Sequence, residues 1–298
     1  MIARFLFLCL TMLALPGCAG VMQMPKPIVA SLAETPEVFH RNQILDLAAG
    51  RAVSFGDFMN RLASFDVIFV GEVHTNPEHH LIQVQVLQAL ITRVPSVTIG
   101  MEFLQQDQQA ILDRYIMEDT TEEVFLEEVD WKKTWGYPYH FYRPLFLTAR
   151  HEGIRVLALN APREIVRKVA REGLSGLGDE ERAGIPAELD LSNEAHRAYV
   201  RETYERHDHG DLREFDFFYE AQCVWDETMA HNIAAFLNDH GGKMIVFSGN
   251  GHIIWKFGIP DRTQRRLPLS VVTILPYPLY ETVTVERGMA DYLWLTAP

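Results

Sequence analysis

Cysteine, positive charge and long apolar runs are all scarce in this chain. Of three cysteines, only Cys223 lies beyond residue 18. No disulfide can therefore form within the body of the chain. Cys223 has apolar neighbours in a helical pattern and reads as a small buried side chain. Lysine and arginine number 27 against 40 aspartates and glutamates, for a net charge of −13. That balance argues against a nucleic-acid partner, which needs a basic face. Low-complexity tracts and fixed-period repeats are absent, which excludes solenoids and propellers. The N-terminal apolar run, residues 5–15, is too short to cross a bilayer. What is present is 48% hydrophobic residues in 298 positions, enough for one large domain or two small ones.

The chain begins "MIARFLFLCLTMLALPGCAG". Arg4 is a short positive region ahead of the apolar run, the order of an export signal. "LPGC" then resembles the lipobox of bacterial lipoproteins, with Gly17 directly before Cys18; an ordinary secretory peptide is the alternative. The resemblance implies that residues 1–17 are removed and Cys18 is lipidated. Ala19, where Asp would retain the protein at the inner membrane under the sorting rule of enteric-type bacteria, implies the outer membrane. A lipid-anchored protein facing the periplasm is expected, held by more than one acyl chain. Residues 18–40 read as a proline-marked tether. Residues 41–298 read as a single domain.

Five β-branched apolar runs, at 66–70, 96–101, 154–159, 243–248 and 269–275, show little alternation. They predict strands covered on both faces, hence parallel. "YETVTVE", 280–286, alternates and predicts an edge strand. Helical patterns lie between. Asn76 caps and Pro77 opens a helix with Leu81, Val84, Leu87, Ile91 and Val94 as its stripe. Pro144 opens a segment ending near Gly153. Pro162 opens another that carries Ile165, Val166, Val169 and Ala170 and closes at Gly173. The longest helix runs from about 214 to 241. The alternation predicts an α/β fold, a mostly parallel sheet flanked by helices. Helical insertions at about 104–143 and 175–215 are expected to meet over one sheet edge as lids.

Polar residues gather where the strands end. Glu72 and His74 follow the first run, Glu102 the second, Asn160 the third, and His252 in "SGNGH" the fourth. In a parallel sheet these points share the edge where ligands bind. Each has a plainer reading: turn glycines, a capping asparagine, a structural histidine. Two histidines and two carboxylates suit acid–base catalysis or a divalent metal such as zinc or manganese. The spacing matches no recognised zinc motif. In "FVGEVHTNPEHH", Glu78 favours the helix dipole. His79 and His80 point about 100° apart, so at least one is expected to face solvent.

Two further segments are dense in functional side chains. "KKTWGYPYHFYRP", 132–144, holds Trp135, Tyr137, Tyr139, His140, Phe141, Tyr142 and Arg143. It is either core packing or an aromatic wall, with Arg143 placed to pair with Glu72 or Glu102. The stretch 204–232 holds His207 and His209 ahead of the long helix, then Gln222 and Asp226. Asp226 in an apolar helix calls for a partner.

Together "GEVHTNPEHH", "GMEFLQQDQQ", "YRPLFLTARHEGIRVLALNAPREIVRKVAREGLSGL", "FYEAQCVWDETMAHNIAAFL" and "SGNGHI" resemble the ChaN-like haem-binding uptake lipoproteins. The paired G-x-x-H elements at 71–74 and 249–252 are also similar to the wider superfamily of Tiki proteases and erythromycin esterases. The resemblance implies haem bound for iron uptake, with two haems stacked across a haem-dependent homodimer. It implies one tyrosine ligand to each iron, a hard anion on a hard acid, with a nearby Arg or His lowering the phenol's pKa. The tyrosines in question are Tyr137, Tyr139, Tyr142, Tyr199 and Tyr204, with His207 and His209 as helpers. Arg143, Asn160, Gln222 and Asp226 fall to the pocket. The alternative is a hydrolase using Glu72, His74, Glu102 and His252, with or without a metal. A third reading is a periplasmic scaffold with a vestigial pocket.

Overall fold

The apolar runs form strands, and the sheet extends beyond them. The structure is a computed structural model and describes residues 28–33, 35–206 and 214–298. Strands β1 Ala30–Leu32, β2 Val38–Phe39, β3 Ile44–Asp46 and β4 Arg51–Val53 come first. β5 Val67–Val70, β6 Thr98–Gln105, β7 Val156–Asn160, β8 Met244–Phe247 and β9 Val271–Pro278 are the five expected strands. β10 Val283–Val285 and β11 Tyr292–Thr296 complete the set. Eight strands form one sheet in the order β4-β3-β11-β9-β5-β8-β6-β7. From β11 to β7 all neighbours pair parallel, while β3 and β4 close one edge antiparallel. β5 and β8 are buried throughout, as continuous apolar strands between two helical layers must be.

Three expectations need correction. β10 is an edge strand as expected, but not of the main sheet; it pairs with β1 at the edge of a separate three-stranded sheet. β1 and β2 lie within the stretch read as tether, and Ala30 and Leu32 are buried there. Pro144 does not open its helix, which runs Tyr139–Glu152 with the proline inside and Gly153 at φ 64 closing it. Cys18, the expected lipidation site, lies outside the described residues, as do His207 and His209.

The helices are α1 Phe55–Leu62, α2 Pro77–Ile91, α3 Gln109–Met117, α4 Glu122–Glu128, α5 Trp131–Thr134 and α6 Tyr139–Glu152. Then come α7 Arg163–Glu172, α8 Asp179–Ala183, α9 Glu194–Glu205, α10 Phe215–His240 and α11 Ile259–Arg266. α1, α2 and α6 share the core on one sheet face, and α10 and α11 that on the other. α7 and α10 end at Gly173 and Gly241, as expected. α2 starts as expected: the Asn76 side chain accepts the Glu78 N–H at 2.9 Å and Pro77 takes the first position. Its rotation differs. Leu81 is 67% exposed, while Ile82, Val86, Leu87 and Leu90 are buried. That face includes His79 and Gln83, so the helix turns its polar first-turn residues inward.

Candidate active site

The strand ends do converge, and they do so as two half-sites on opposite faces of the sheet. The first is built on the loop after β5. Glu72 turns toward α2 and α6 and is 1% exposed. Its Oε1 accepts from the Tyr142 hydroxyl at 2.8 Å and lies 2.6 Å from His74 Nδ1. His80 Nδ1 stands 3.3 Å from Oε2, and His80 Nε2 donates to the His74 carbonyl. His79 accepts the Val73 N–H on Nδ1 and bonds Thr296 through Nε2. Burial, with His80 beside it, pushes His79 down to about 3, so it is neutral. The expectation that these two histidines leave one facing solvent is therefore wrong: both are buried. The first turn of α2 is tied back to the loop that precedes it.

The second half-site lies toward α10. Glu102 leaves β6 at an irregularity in its pairing with β7, which spans Met101 to Gln105. Such a bulge re-aims a side chain. Glu102 Oε2 accepts the Gly249 N–H, and Oε1 lies 3.3 Å from His252 Nε2. His252 Nδ1 is 2.6 Å from Asp226, the inward carboxylate of α10. Burial disfavours charge on His252, but Glu102 and Asp226 outweigh it and raise its pKa to about 10. Burial likewise disfavours the Glu102 carboxylate, yet the His252 cation holds its pKa down at about 2. Gln222 places its amide 3.1 Å from His252 Nδ1; facing a charged imidazole, the amide oxygen is the group that fits. Behind Asp226 stands His196 of α9, 3.6 Å away and pushed down to about 4 by burial.

His74 links the halves. A Cβ on Gly249 would lie 3.0 Å from its ring, and one on Gly71 2.0 Å from Asn250 Oδ1. Glycine at both positions lets the two loops interlock. Burial opposes charge on His74, but the bond to Glu72 and the field of Glu102 raise its pKa. Because Nδ1 donates to Glu72, Nε2 is free to face the pocket. That pocket measures about 260 Å³ and is lined by His74, Glu102, His252, Asn160, Trp135, Tyr137 and Trp225, among others. Asn160 braces it, donating to the Glu102 carbonyl and accepting the Ala161 N–H, both at 2.9 Å. Larger clefts beside His231 and beside Trp131 are lined by none of the strand-end residues.

Other assignments change. Arg143 is exposed and pairs with Glu122, not with a pocket carboxylate. Tyr142 is buried behind Glu72, and Tyr139 bonds Tyr115. Tyr199 and Tyr204 pack in a satellite cluster between α9 and α10. The aromatic segment is both wall and core: Trp135 and Tyr137 line the pocket while Tyr142 is interior. The lid is one-sided. The 104–143 insertion supplies Thr134, Trp135 and Tyr137, and the second insertion instead places His196 behind Asp226. The cations beside Tyr139 and Tyr199, Arg143 and Arg206, act to lower their phenol pKa values but are outweighed. Burial, joined by nearby acidic groups, raises Tyr137, Tyr139, Tyr142 and Tyr199. Among the described residues no group of three His, Cys, Asp or Glu side chains is arranged to hold a metal ion. The expected divalent metal has no support, because the pocket's imidazoles and carboxylates are spent on one another. Residues not foreseen are His80, His196, Trp225 as a wall, and Arg163 at the pocket rim. Only His80 had a signal, its place on the Ile82–Val86–Leu90 face.

A family model described as haem-binding uptake, Tiki superfamily, ChaN matches residues 58–263. The chain belongs to this family. A solved structure showing cofacial heme binding to ChaN of Campylobacter jejuni matches with TM-score 0.66 and 20% identity. The match covers 84% of this chain and 95% of that one. This likeness is one of fold, and it confirms the α/β architecture. Protein RETICULATA-RELATED 5, chloroplastic, of Arabidopsis thaliana is 22% identical over 260 residues, 80% of this chain. This member of the family spans only 35% of that protein's length. The erythromycin esterase EreC, at TM-score 0.46 and 13% identity over 80% of this chain and 79% of that one, is too distant to inform function.

Proposed function

We propose that this protein is an outer-membrane lipoprotein that holds haem for iron uptake, with Tyr137 as the iron ligand at the mouth of the strand-end pocket. Family membership supports haem as the ligand. The observation that carries the choice of tyrosine is the position of Tyr137. It lines the pocket with its ring 4.6 Å from His74, and its hydroxyl makes no hydrogen bond among the described residues. Tyr139 and Tyr142 have committed hydroxyls. Phenolate is a hard anion suited to ferric iron. Because burial and the Glu102 and Glu72 carboxylates raise the Tyr137 pKa, iron has to displace its proton, and affinity falls as pH falls. Pairing of two haems across a dimer is part of the proposal, as is anchoring through Cys18.

The test is haemin titration of the full chain in detergent, read by Soret absorbance and particle mass. A stoichiometric Soret shift with doubled mass is expected. The shift is expected to vanish in Tyr137→Phe and persist in Tyr199→Phe and Tyr204→Phe. No shift in the unmodified protein would overturn the haem reading; a full shift in Tyr137→Phe would remove only that ligand. Loss of acyl labelling and membrane retention in Cys18→Ser is the check on the anchor.

A second reading is a metal-free hydrolase. The Glu72–His74 pair favours it, because an oriented imidazole with a free Nε2 is the geometry of a general base. Hydrolysis of an ester panel, abolished in His74→Ala, would support it; an inert wild-type protein would count against it.

A further inference from the structure

We propose that the pocket behind Tyr137 is a carboxylate site that receives a propionate of haem while the ring lies across the aromatic mouth. This rests on the haem reading above. The pocket, at about 260 Å³, falls below the roughly 300–1,000 Å³ of sites that enclose a drug-sized ligand. It suits an arm of the molecule and leaves the macrocycle outside. Its available groups are donors. Arg163 opens α7 and lines the pocket, its backbone N–H fixed by Gln105 Oε1 at 2.7 Å. Among the described residues its guanidinium forms no ion pair, although the chain's acidic residues far outnumber its basic ones. His74 leaves Nε2 open to the pocket, since Nδ1 is taken by Glu72, and donates there to a carboxylate as the imidazolium. The pocket's carboxylates oppose an entering anion but are partly compensated, Glu102 by the Gly249 N–H and the His252 cation and Glu72 by the Tyr142 hydroxyl and His74. A carboxylate entering here meets a guanidinium and an imidazole, the charge-assisted pairing that anions favour. The aromatic lining of Trp135, Tyr137 and Trp225 offers apolar contact to a planar ring.

The experiment compares haemin with haemin dimethyl ester on the full chain in detergent, each followed by its Soret shift. The ester is expected to bind at least about tenfold more weakly, the value of one lost charged hydrogen bond. Arg163→Gln should weaken haemin by a similar factor, leave the ester unchanged, and be partly rescued by Arg163→Lys. Equal affinity of haemin and ester overturns the propionate site and leaves the haem reading standing. No Soret shift with either overturns both. Succinate separates the other source of a carboxylate. If it competes with haemin but not with the ester, the proposal stands. If it raises the melting temperature while haemin and ester bind equally, the pocket belongs to a separate small acid and the proposal falls.

Discussion

His74 and His252 occupy matching places at the ends of neighbouring strands, and each is held by a carboxylate 2.6 Å away. They are nonetheless different kinds of group. His252 has a second carboxylate, Glu102, at its other nitrogen and is 8% exposed. Its charge is fixed up to a pH of about 10. His74 is held on one side only, its side chain 26% exposed with the far nitrogen toward the pocket. An imidazole gripped at both ends becomes a structural cation that sets the local field. One gripped at a single end keeps its second nitrogen available and can respond to a ligand.

The comparison is most sharply broken at Asp226. Asp226→Asn should leave His252 with a single carboxylate and cost about 3–5 kcal/mol, as removal of one partner from a buried pair does. Urea denaturation measures it, and a loss below about 1 kcal/mol would mean that the double grip is not what holds this half-site. Next comes pH. Folding raises the His252 pKa from 6.5 to about 10, so its stabilisation is complete below pH 6.5 and lost as pH rises through 10. The urea midpoint should fall across that window, and His252→Gln should flatten the fall. Glu102, depressed from 4.5 to about 2, gives the opposite limb, with stability lost as pH falls through that range. Glu72→Gln should cost about 1–3 kcal/mol by disturbing the buried Tyr142 bond. It should also lower the His74 pKa, seen by NMR titration of the ring protons; an unmoved pKa would detach His74 from its partner. The smallest effect is expected at Arg143→Ala, which should leave both the denaturation midpoint and the haemin Soret shift unchanged, because its contact with Glu122 lies on the surface.

How much of this was legible depended on whether a signal was local. Continuous β-branched runs disclosed the central strands, and topology alone then brought Glu72, Glu102, Asn160 and His252 to one edge. β11 was overlooked because "YLWLT" is short and lies among polar turns, although all of Tyr292–Thr296 is buried. The rotation of α2 was misread because Leu81 and Val84 are apolar, whereas the face that packs is partly polar. Its His79, His80 and Gln83 are admitted to the interior by partners far off in sequence, including Thr296 and Gly71. Arg163 and His196 carried no local mark at all; their meaning comes from what stands opposite. The tyrosine question narrowed only when hydroxyl partners could be seen.

His79 carries one more consequence. It fastens the loop at Val73 to Thr296, which lies 217 positions beyond His79 itself, and Asn76 reaches the carbonyl of Ala297 at a separation of 221. β11, which presents Thr296, is itself clamped between β9 and β3. The loop bearing Glu72 and His74, held also by Tyr142, His80 and the Asn250 N–H, therefore gains its last ties only once β11 is in place. Contacts of such range are slow to close. The corner of the site that is made first is finished last, and shortening the chain by its final strand would slacken a pocket that strand does not line.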